Sequence, residues 1–227
     1  MATRSVRTTN GSLLTGGERA RIKRLGEPIA LALGRLGLSP DALTLLGFGI
    51  VLAAAAAAAQ GGYALAAAIL VFGTLFDGLD GTLARATGRV TAFGAFLDSS
   101  LDRAGEAVIY AGIAYGAAVA GDAQLVAAAV LALGVGSLVS YVRARGEGLG
   151  VSADVGLAQR AERALLLVVG LAAGAAFGRT WLLAALVVIV AASAITVAQR
   201  ILFVRAALVG APRAAGRAGR SRAARGK

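Results

Sequence analysis

The sequence predicts an all-α integral membrane protein with six transmembrane helices and an N-terminal amphipathic helix at the membrane interface. Two observations lead to this fold class. Of the 227 residues, 58% are hydrophobic and 32 are glycine, whereas only 15% are charged. Because soluble domains contain about 25% charged residues, this chain has too few polar side chains to cover a water-soluble body of its size. The second observation is that long stretches without any charged residue recur along the chain.

Six helices account for these charge-free stretches. The longest stretch runs from Ala42 to Phe76, and a Gln-Gly-Gly turn at residues 60–62 divides it into two helices. Each is about as long as a helix must be to cross ~30 Å of hydrocarbon. The six predicted helices cover residues 41–59, 63–85, 92–119, 123–145, 159–177 and 180–206. They form one membrane domain, 41–206, between a basic N-terminal segment, 1–40, and a basic tail, 207–227.

The positions of arginine and lysine predict how the helices are oriented. Nearly all basic residues lie in the two terminal segments and the even-numbered connections, whereas the odd-numbered connections carry only Arg179. Because basic residues are retained on the cytoplasmic side, we expect both termini in the cytoplasm and the helices in the cell (inner) membrane. This sorting also explains the net charge of +11 without a nucleic-acid partner.

The two terminal segments differ in their patterns. Residues 19–38 place apolar side chains at helical spacing opposite a basic face, which is typical of a helix lying along the lipid headgroups. The apolar positions are Ile22, Leu25, Ile29, Leu33 and Leu36. A disordered arm is the alternative for this segment. The tail after Gly210 is basic, low-complexity sequence, for which we predict disorder and contact with membrane lipids.

Acidic residues are concentrated on the second and third predicted helices. The chain has no histidine and no cysteine, so chemistry must come from carboxylates, hydroxyls and arginines. Five of the twelve acidic residues lie in or at the ends of these two helices: Asp77, Asp80, Asp98, Asp102 and Glu106. An ionisable group costs about 2.5 kcal/mol or more near the bilayer centre. These carboxylates therefore need water, partners or metal ions.

Their spacing favours metal ions. The first two aspartates are three residues apart and the next two are four apart, so each pair projects from one helix face. Two consecutive antiparallel helices would bring the four carboxylates together. Ligation by oxygen alone favours magnesium, manganese or calcium over zinc. Salt bridges to Arg85 and Arg103 are the alternative, but one arginine per pair leaves net negative charge in the membrane.

The aspartates belong to a longer pattern, Asp77-x2-Asp80-Gly81-x2-Ala84-Arg85-x8-Gly94-x3-Asp98-x3-Asp102. This pattern resembles the signature of the CDP-alcohol phosphotransferase family, whose members are integral membrane enzymes of phospholipid synthesis. All eight fixed positions stand at the family spacing. The segment Gly37–Gly47 is also similar to the family's entry into its first helix. The resemblance implies six helices, a homodimer, and transfer of a substituted phosphate from a CDP-alcohol to an acceptor alcohol with release of CMP.

The resemblance also implies a role for each motif residue. Two cations, Mg²⁺ or Mn²⁺, would be held by Asp77, Asp80, Asp98 and Asp102. Such a pair of metal ions clamps both the attacking and the leaving oxygen of a phosphoryl transfer. Asp102 would also act as the general base. The CDP-alcohol would be bound by Asp41, Asp77, Gly81, Arg85 and Thr91.

Four further segments resemble the phosphatidylinositol phosphate synthases of actinobacteria: LDSSLDR from residue 97, SYVRAR from 140, QRAER from 159 and AQR from 198. This resemblance implies CDP-diacylglycerol as donor and inositol 1-phosphate as acceptor. The acceptor phosphate would be bound by Ser140, Arg143, Arg145, Arg160, Arg163 and Arg200. Two positions depart from the subfamily, because Arg143 replaces a lysine and Ala161 a proline. Several guanidinium groups suit a phosphate, although ordinary positive-inside anchoring is the alternative for each arginine.

Two other functions stay open from the sequence. One is a phosphatidylglycerophosphate synthase that uses glycerol 3-phosphate, although Ser99 stands where such relatives usually carry proline. The other, from a different class, is a small ion or proton transporter that uses the carboxylates as a relay. The carboxylates gather at one side of the membrane rather than at its midplane, and no predicted helix is broken by proline. Both points favour the transferase.

Overall fold

The structure is a computed structural model that describes residues 27–76 and 78–210. Within these ranges the chain is helical and contains no strand. A short helix α1 covers the described residues 27–35. The remaining helices are α2 (Pro40–Ala59), α3 (Tyr63–Phe76), α4 (Leu79–Ala86), α5 (Ala92–Val119), α6 (Ala123–Glu147), α7 (Arg160–Phe177) and α8 (Arg179–Gly210).

Short polar caps and turn glycines determine where the helices begin and end. The Ser39 hydroxyl accepts a hydrogen bond from the Ala42 amide at 3.1 Å, and Pro40 occupies the first turn of α2. Thr91 caps α5 in the same way through the Gly94 amide at 2.9 Å. Gly61 has a positive φ of 75° in the turn between α2 and α3, a conformation that costs little only without a Cβ.

Four helical stretches are long and apolar enough to cross a bilayer: Pro40–Ala59, Tyr63–Ala86, Ala123–Glu147 and Arg179–Val209. The all-helical class is therefore confirmed for the described residues, with four candidate membrane-spanning helices. The other two long helices, α5 and α7, contain 28 and 18 residues but carry the charged side chains of the site. The six-span arrangement and the division at 40 and 206 remain predictions. The first part of the predicted interfacial helix, 19–26, and the tail 211–227 lie outside the described residues.

The predicted helix over 63–85 is interrupted in the structure. Helix α3 ends at Phe76 and α4 begins at Leu79, and Gly78 between them has a φ of 81°. A continuous helix cannot include this left-handed conformation, and glycine adopts it without steric cost. The hydropathy of the stretch does not reveal the break, because both helices are apolar on their buried faces. Asp77, at the break, lies outside the described residues.

Helix α2 packs in the centre of one half of the molecule, against α3, α4 and α5, and α6 and α7 both pack on α8 in the other half. Glycines let α5 approach α2 closely, since a Cβ on Gly112 would lie 2.4 Å from the Ala55 carbonyl oxygen. The facing side of α2 is built from buried alanines, including Ala54 and Ala58. Because neither helix has bulk at this seam, their backbones meet directly.

The two ends of the bundle differ in charge. At one end, Arg179 forms an ion pair with Asp122, the N-cap residue of α6, and a hydrogen bond to Gln124. The Leu125 amide and the Arg179 guanidinium lower the pKa of Asp122, so this carboxylate stays charged at neutral pH. The motif residues that the structure describes all lie toward the opposite end, where α2, α5 and α7 begin and α6 ends.

Candidate active site

A cavity of about 720 Å³ opens at this end of the bundle, between α5, α6, α7 and α8. Its volume falls within the ~300–1,000 Å³ that is usual for small-molecule sites. Its polar and charged lining residues are Asp98, Ser99, Asp102, Arg103, Glu106, Ser140, Arg143, Glu147, Gln159, Arg160, Glu162, Arg163 and Arg200. Acidic side chains from α5 therefore face basic side chains from α6, α7 and α8 across one space.

The other half of the motif lies where α2 meets α4 and the start of α5. The Thr44 hydroxyl donates a hydrogen bond of 2.6 Å to Asp80 Oδ2, and the Gly81 amide donates to Asp80 Oδ1. These two donors from α2 and α4 fix the orientation of the Asp80 carboxylate. Since a carboxylate oxygen keeps a second lone pair, Asp80 can still bind a further ligand.

Two motif glycines let polar side chains lie close to the backbone. A Cβ on Gly81 would lie 3.2 Å from Arg85 Nη1, and a Cβ on Gly94 would lie 3.1 Å from Thr91 Oγ1 and 3.4 Å from Asp41 Oδ1. The predicted CDP-alcohol-binding residues Asp41 and Thr91 are thus brought together around Gly94. Arg85 is exposed and its guanidinium folds over Gly81, so an anion at this glycine would meet it directly.

Helix α5 presents Asp98, Asp102 and Glu106 on one face, one turn apart, and all three line the cavity. Asp102 Oδ1 lies 2.6 Å from Arg160 Nη2 in the first turn of α7. The predicted general base and a predicted phosphate-binding arginine are therefore in direct contact. This pairing was not evident from the sequence, because 58 positions separate the two residues.

A second ion pair between the same helices is buried. Glu106 accepts hydrogen bonds from Arg163 Nε at 2.8 Å and from Arg163 Nη2 at 2.9 Å, while Arg163 Nη1 donates to the Ala158 carbonyl oxygen at 3.0 Å. Only 2% of the Arg163 side chain is exposed. Arg163 lines the cavity, but its three guanidinium nitrogen atoms already bind protein oxygens. Its main contacts hold α7 against α5.

Two further predicted arginines differ in their contacts. Arg200 is buried and donates to the Val139 carbonyl oxygen at 2.7 Å and to the Val155 carbonyl oxygen at 2.9 Å. It joins α8 to α6 and to the loop before α7. Arg143 is half-exposed and pairs with Glu147 and Asp154, each at 2.9 Å. Both line the cavity together with Ser140.

The structure does not bring Arg145 to this site, because it is exposed and is not among the residues that line the cavity. Two residues that sequence reasoning did not select belong there. Thr44 orients Asp80, and its position within the first-helix motif could have identified it. Glu162 lines the cavity, and its Oε2 is buried without a hydrogen-bond partner among the described residues; no pattern in the sequence predicts that.

The predicted metal ligands can be assessed only in part. Among residues 27–76 and 78–210, no three acidic side chains converge on one point. Asp77, the first aspartate of the motif, lies outside those ranges. The available donors are carboxylate oxygens of Asp80, Asp98 and Asp102, a set that suits a hard divalent cation.

Comparison with known proteins identifies the family. The sequence model of CDP-alcohol phosphatidyltransferases matches residues 38–198, which include every site residue described above except Arg200. The chain belongs to the CDP-alcohol phosphatidyltransferase family. It is therefore a phosphotransferase, as its sequence motif predicted, and the transporter alternative is not supported.

Two curated relatives show which synthases this phosphatidyltransferase resembles. An archaetidylinositol phosphate synthase of Methanothermobacter thermautotrophicus is 41% identical over 186 residues, which cover 82% of this chain and 91% of that protein. A phosphatidylinositol phosphate synthase of Cutibacterium acnes is 41% identical over 199 residues, which cover 83% of this chain and 96% of that protein. Both similarities cover more than four fifths of this chain.

Solved structures of a related phosphatidyltransferase have the same fold. The Mycobacterium tuberculosis phosphatidylinositol phosphate synthase with CDP-DAG bound superposes with a TM-score of 0.76 at 33% identity, covering 80% of this chain and 94% of that one. A second structure of that enzyme, in complex with manganese and citrate, gives a TM-score of 0.75 at 33% identity, covering 79% and 88%. A relative thus accommodates both a CDP-linked lipid and a divalent metal.

Proposed function

We propose that this phosphatidyltransferase moves a phosphatidyl group from CDP-diacylglycerol to inositol 1-phosphate, releasing CMP and forming phosphatidylinositol phosphate. The observation that carries the proposal is the cavity in which arginines of α6 and α7 face the motif aspartates of α5. The related synthases support the choice of both substrates.

The donor would bind on the Asp80 side of the site. Arg85, which lies against Gly81, can pair with a phosphate oxygen, and Asp41 and Thr91 supply polar contacts beside Gly94. We assign metal binding to Asp77, Asp80, Asp98 and Asp102, with two ions of Mg²⁺ or Mn²⁺. Metal ions bound there would neutralise the diphosphate charge and stabilise the departing CMP.

Asp102 would remove the proton from the attacking hydroxyl of the acceptor. The new bond joins this oxygen to the phosphorus that carries diacylglycerol, the bond from that phosphorus to the CMP oxygen breaks, and CMP leaves. Asp102 suits this role because it lines the cavity from the α5 side and touches Arg160, a candidate ligand of the acceptor phosphate. Base and acceptor would thus meet at one place.

The cavity suits a phosphorylated polyol better than a simple phosphate. Arg143 and Arg160 are half-exposed at its wall and can bind the phosphate group. Ser140 and Gln159 add polar contacts for the hydroxyl groups of a polyol. Arg163 and Arg200 would support the wall of this pocket through their bonds to protein oxygens. Arg145 has no part in it.

The membrane arrangement completes the proposal. Six helices, α2, α3 with α4, α5, α6, α7 and α8, would span the inner membrane, and both termini and the site would face the cytoplasm. The charges of α7 lie in its first turn, and the acidic residues of α5 lie between its start and its middle and face the cavity rather than lipid. We further propose that the membrane domain 41–206 pairs with a second copy as a homodimer.

The decisive experiment is an acceptor comparison. Purified protein in detergent, with CDP-diacylglycerol and Mg²⁺, should release CMP when inositol 1-phosphate is added and show little release with glycerol 3-phosphate or free inositol. The lipid product should be identified by mass spectrometry. Faster release with glycerol 3-phosphate would assign a glycerophosphate acceptor instead, and no release with either phosphate would overturn the proposal.

A further inference from the structure

One buried hydroxyl of α8 binds the loop that leads into the active site. Thr196 is fully buried, and its Oγ1 accepts a hydrogen bond from the Ala158 amide at 2.9 Å. The same hydroxyl donates to the Ala192 carbonyl oxygen at 2.8 Å within α8. Because its donor and its acceptor capacity are both used, the Thr196 side chain has one defined orientation.

The contact continues on both sides of this hydrogen bond. Gly156 has a φ of 130° and packs on the Thr196 methyl group so closely that a Cβ there would lie 2.2 Å from Cγ2. One turn later on α8, Arg200 donates to the Val155 carbonyl oxygen at 2.9 Å. The loop segment 155–158 therefore contacts α8 through three of its residues, Val155, Gly156 and Ala158.

This segment leads directly into the catalytic cavity. Gln159 is the N-cap residue of α7 and Arg160 is its first residue, and both line the cavity, whereas Thr196, Gly156 and Ala158 do not. The position of the Arg160 guanidinium beside Asp102 therefore depends on how segment 155–158 is held against α8.

We propose that Thr196 is a positioning residue for the acceptor site, acting through Ala158 and the start of α7 to place Arg160. This inference rests on the proposed function, because it assigns Arg160 to the acceptor phosphate. Without the hydroxyl, the buried Ala158 amide loses its partner, and a loop shift that recovers a hydrogen bond from water moves Arg160 away from its place.

The test compares Thr196→Val with two matched variants. Valine keeps the shape of threonine but not its hydroxyl, and we expect the KM for inositol 1-phosphate to rise about tenfold, the size expected for one unsatisfied buried group. The KM for CDP-diacylglycerol should change by less than about threefold, since the donor side is not touched. Thr196→Ser should restore the wild-type KM.

Ser193→Ala is the control on the same helix. Ser193 is also fully buried, but its hydroxyl has no hydrogen-bond partner among the described residues, so its removal should leave both KM values unchanged. Hydrogen exchange of the peptide that contains residues 155–158 supplies a readout independent of activity. It should be faster in Thr196→Val than in the wild type, Thr196→Ser and Ser193→Ala.

Each result decides the proposal. A wild-type acceptor KM in folded Thr196→Val, or equal losses for both substrates without faster exchange of the loop, would overturn it. If Thr196→Val does not fold, Gly156→Ala tests the same contact from the loop side and should raise the acceptor KM selectively; an unchanged KM there would contradict the inference. A wild-type enzyme that is inactive with inositol 1-phosphate refutes the proposed function instead, and the exchange data still report on the loop.

Discussion

Arg143 and Arg145 are two residues apart on α6, yet they have different surroundings. Arg143 lines the cavity and is held by Glu147 and Asp154, whereas Arg145 is exposed outside the cavity. A helix turns by about 100° per residue. Two residues that are two positions apart therefore point about 200° apart, so that one faces the cavity and the other faces away from it. Sequence similarity alone could not distinguish them.

This difference yields a prediction for a matched pair of variants. Arg143→Gln should raise the KM for inositol 1-phosphate about tenfold or more, because a charge-assisted contact to phosphate contributes roughly 1.5–3 kcal/mol. Arg145→Gln removes the same charge from the same helix and should leave this KM within about twofold. Steady-state CMP release measures both. Equal effects of the two substitutions would mean that the arginines act only through net charge.

Asp102 offers a second prediction at this scale. Asp102→Asn keeps the size of the side chain but cannot take a proton, so kcat should fall by about 10²–10⁴-fold. Binding of CDP, measured by calorimetry, should remain detectable because the donor side around Asp80 is unchanged. Asp122→Asn, at the opposite end of the bundle, is the control and should retain activity. Wild-type turnover in Asp102→Asn would remove Asp102 from the role of general base.

At the scale of helices, the sequence determines most element positions but not their interruptions. The predicted third helix, 92–119, agrees with α5, because capping by Thr91 and the turn at Gly121 are both local signals. The break at Gly78 and the anchoring of segment 155–158 depend on a glycine conformation and on contacts with distant residues. Such features depend on the tertiary structure, so patterns in neighbouring residues do not predict them.

The same limit applies to the ion pairs of α5 and α7. The sequence placed Asp102 and the arginines in the site but assigned Arg163 to phosphate, whereas the structure pairs it with Glu106. Spacing of four on α5 and three on α7 makes a double pairing geometrically possible, but only the packed structure shows which charges meet. Arg160 forms a second ion pair between the same two helices, with Asp102.

The Glu106–Arg163 pair predicts a double-mutant result. Arg163→Met should destabilise the protein by about 3–5 kcal/mol, because it leaves a buried carboxylate without its partner. The combined change Glu106→Gln and Arg163→Met should recover much of that loss. Thermal unfolding in detergent measures each variant. Additive losses in the double variant would show that the two side chains do not interact.

The seam between α2 and α5 predicts a second outcome. Gly112→Ala should lower the unfolding temperature markedly, since its Cβ would lie 2.4 Å from the Ala55 carbonyl oxygen and would push the helices apart. Gly134→Ala, on α6 with no atom within 4 Å of its Cβ position, should be neutral or slightly stabilising. An equally stable Gly112→Ala variant would show that the two backbones do not meet there.

At the scale of the whole molecule, the six-span arrangement has a direct test. The chain has no cysteine, so single cysteines can be labelled without background. With both termini in the cytoplasm, a membrane-impermeant maleimide added to intact cells should label Gln60→Cys but should label Leu149→Cys only after lysis. If α5 and α7 did not cross the bilayer, both positions would lie on the outer side and both would be labelled in intact cells.

Helix α5 has a consequence for how such an enzyme can diversify. One of its ends meets the donor side through Gly94, and the same helix faces α6, α7 and α8 through Asp98, Asp102 and Glu106. With the proposed roles, the donor would be recognised at the first turn of this helix and the acceptor along the following turns. Substitutions in α6, α7 and α8 would then change which alcohol is accepted, while the motif aspartates of α5 would keep the transfer reaction the same.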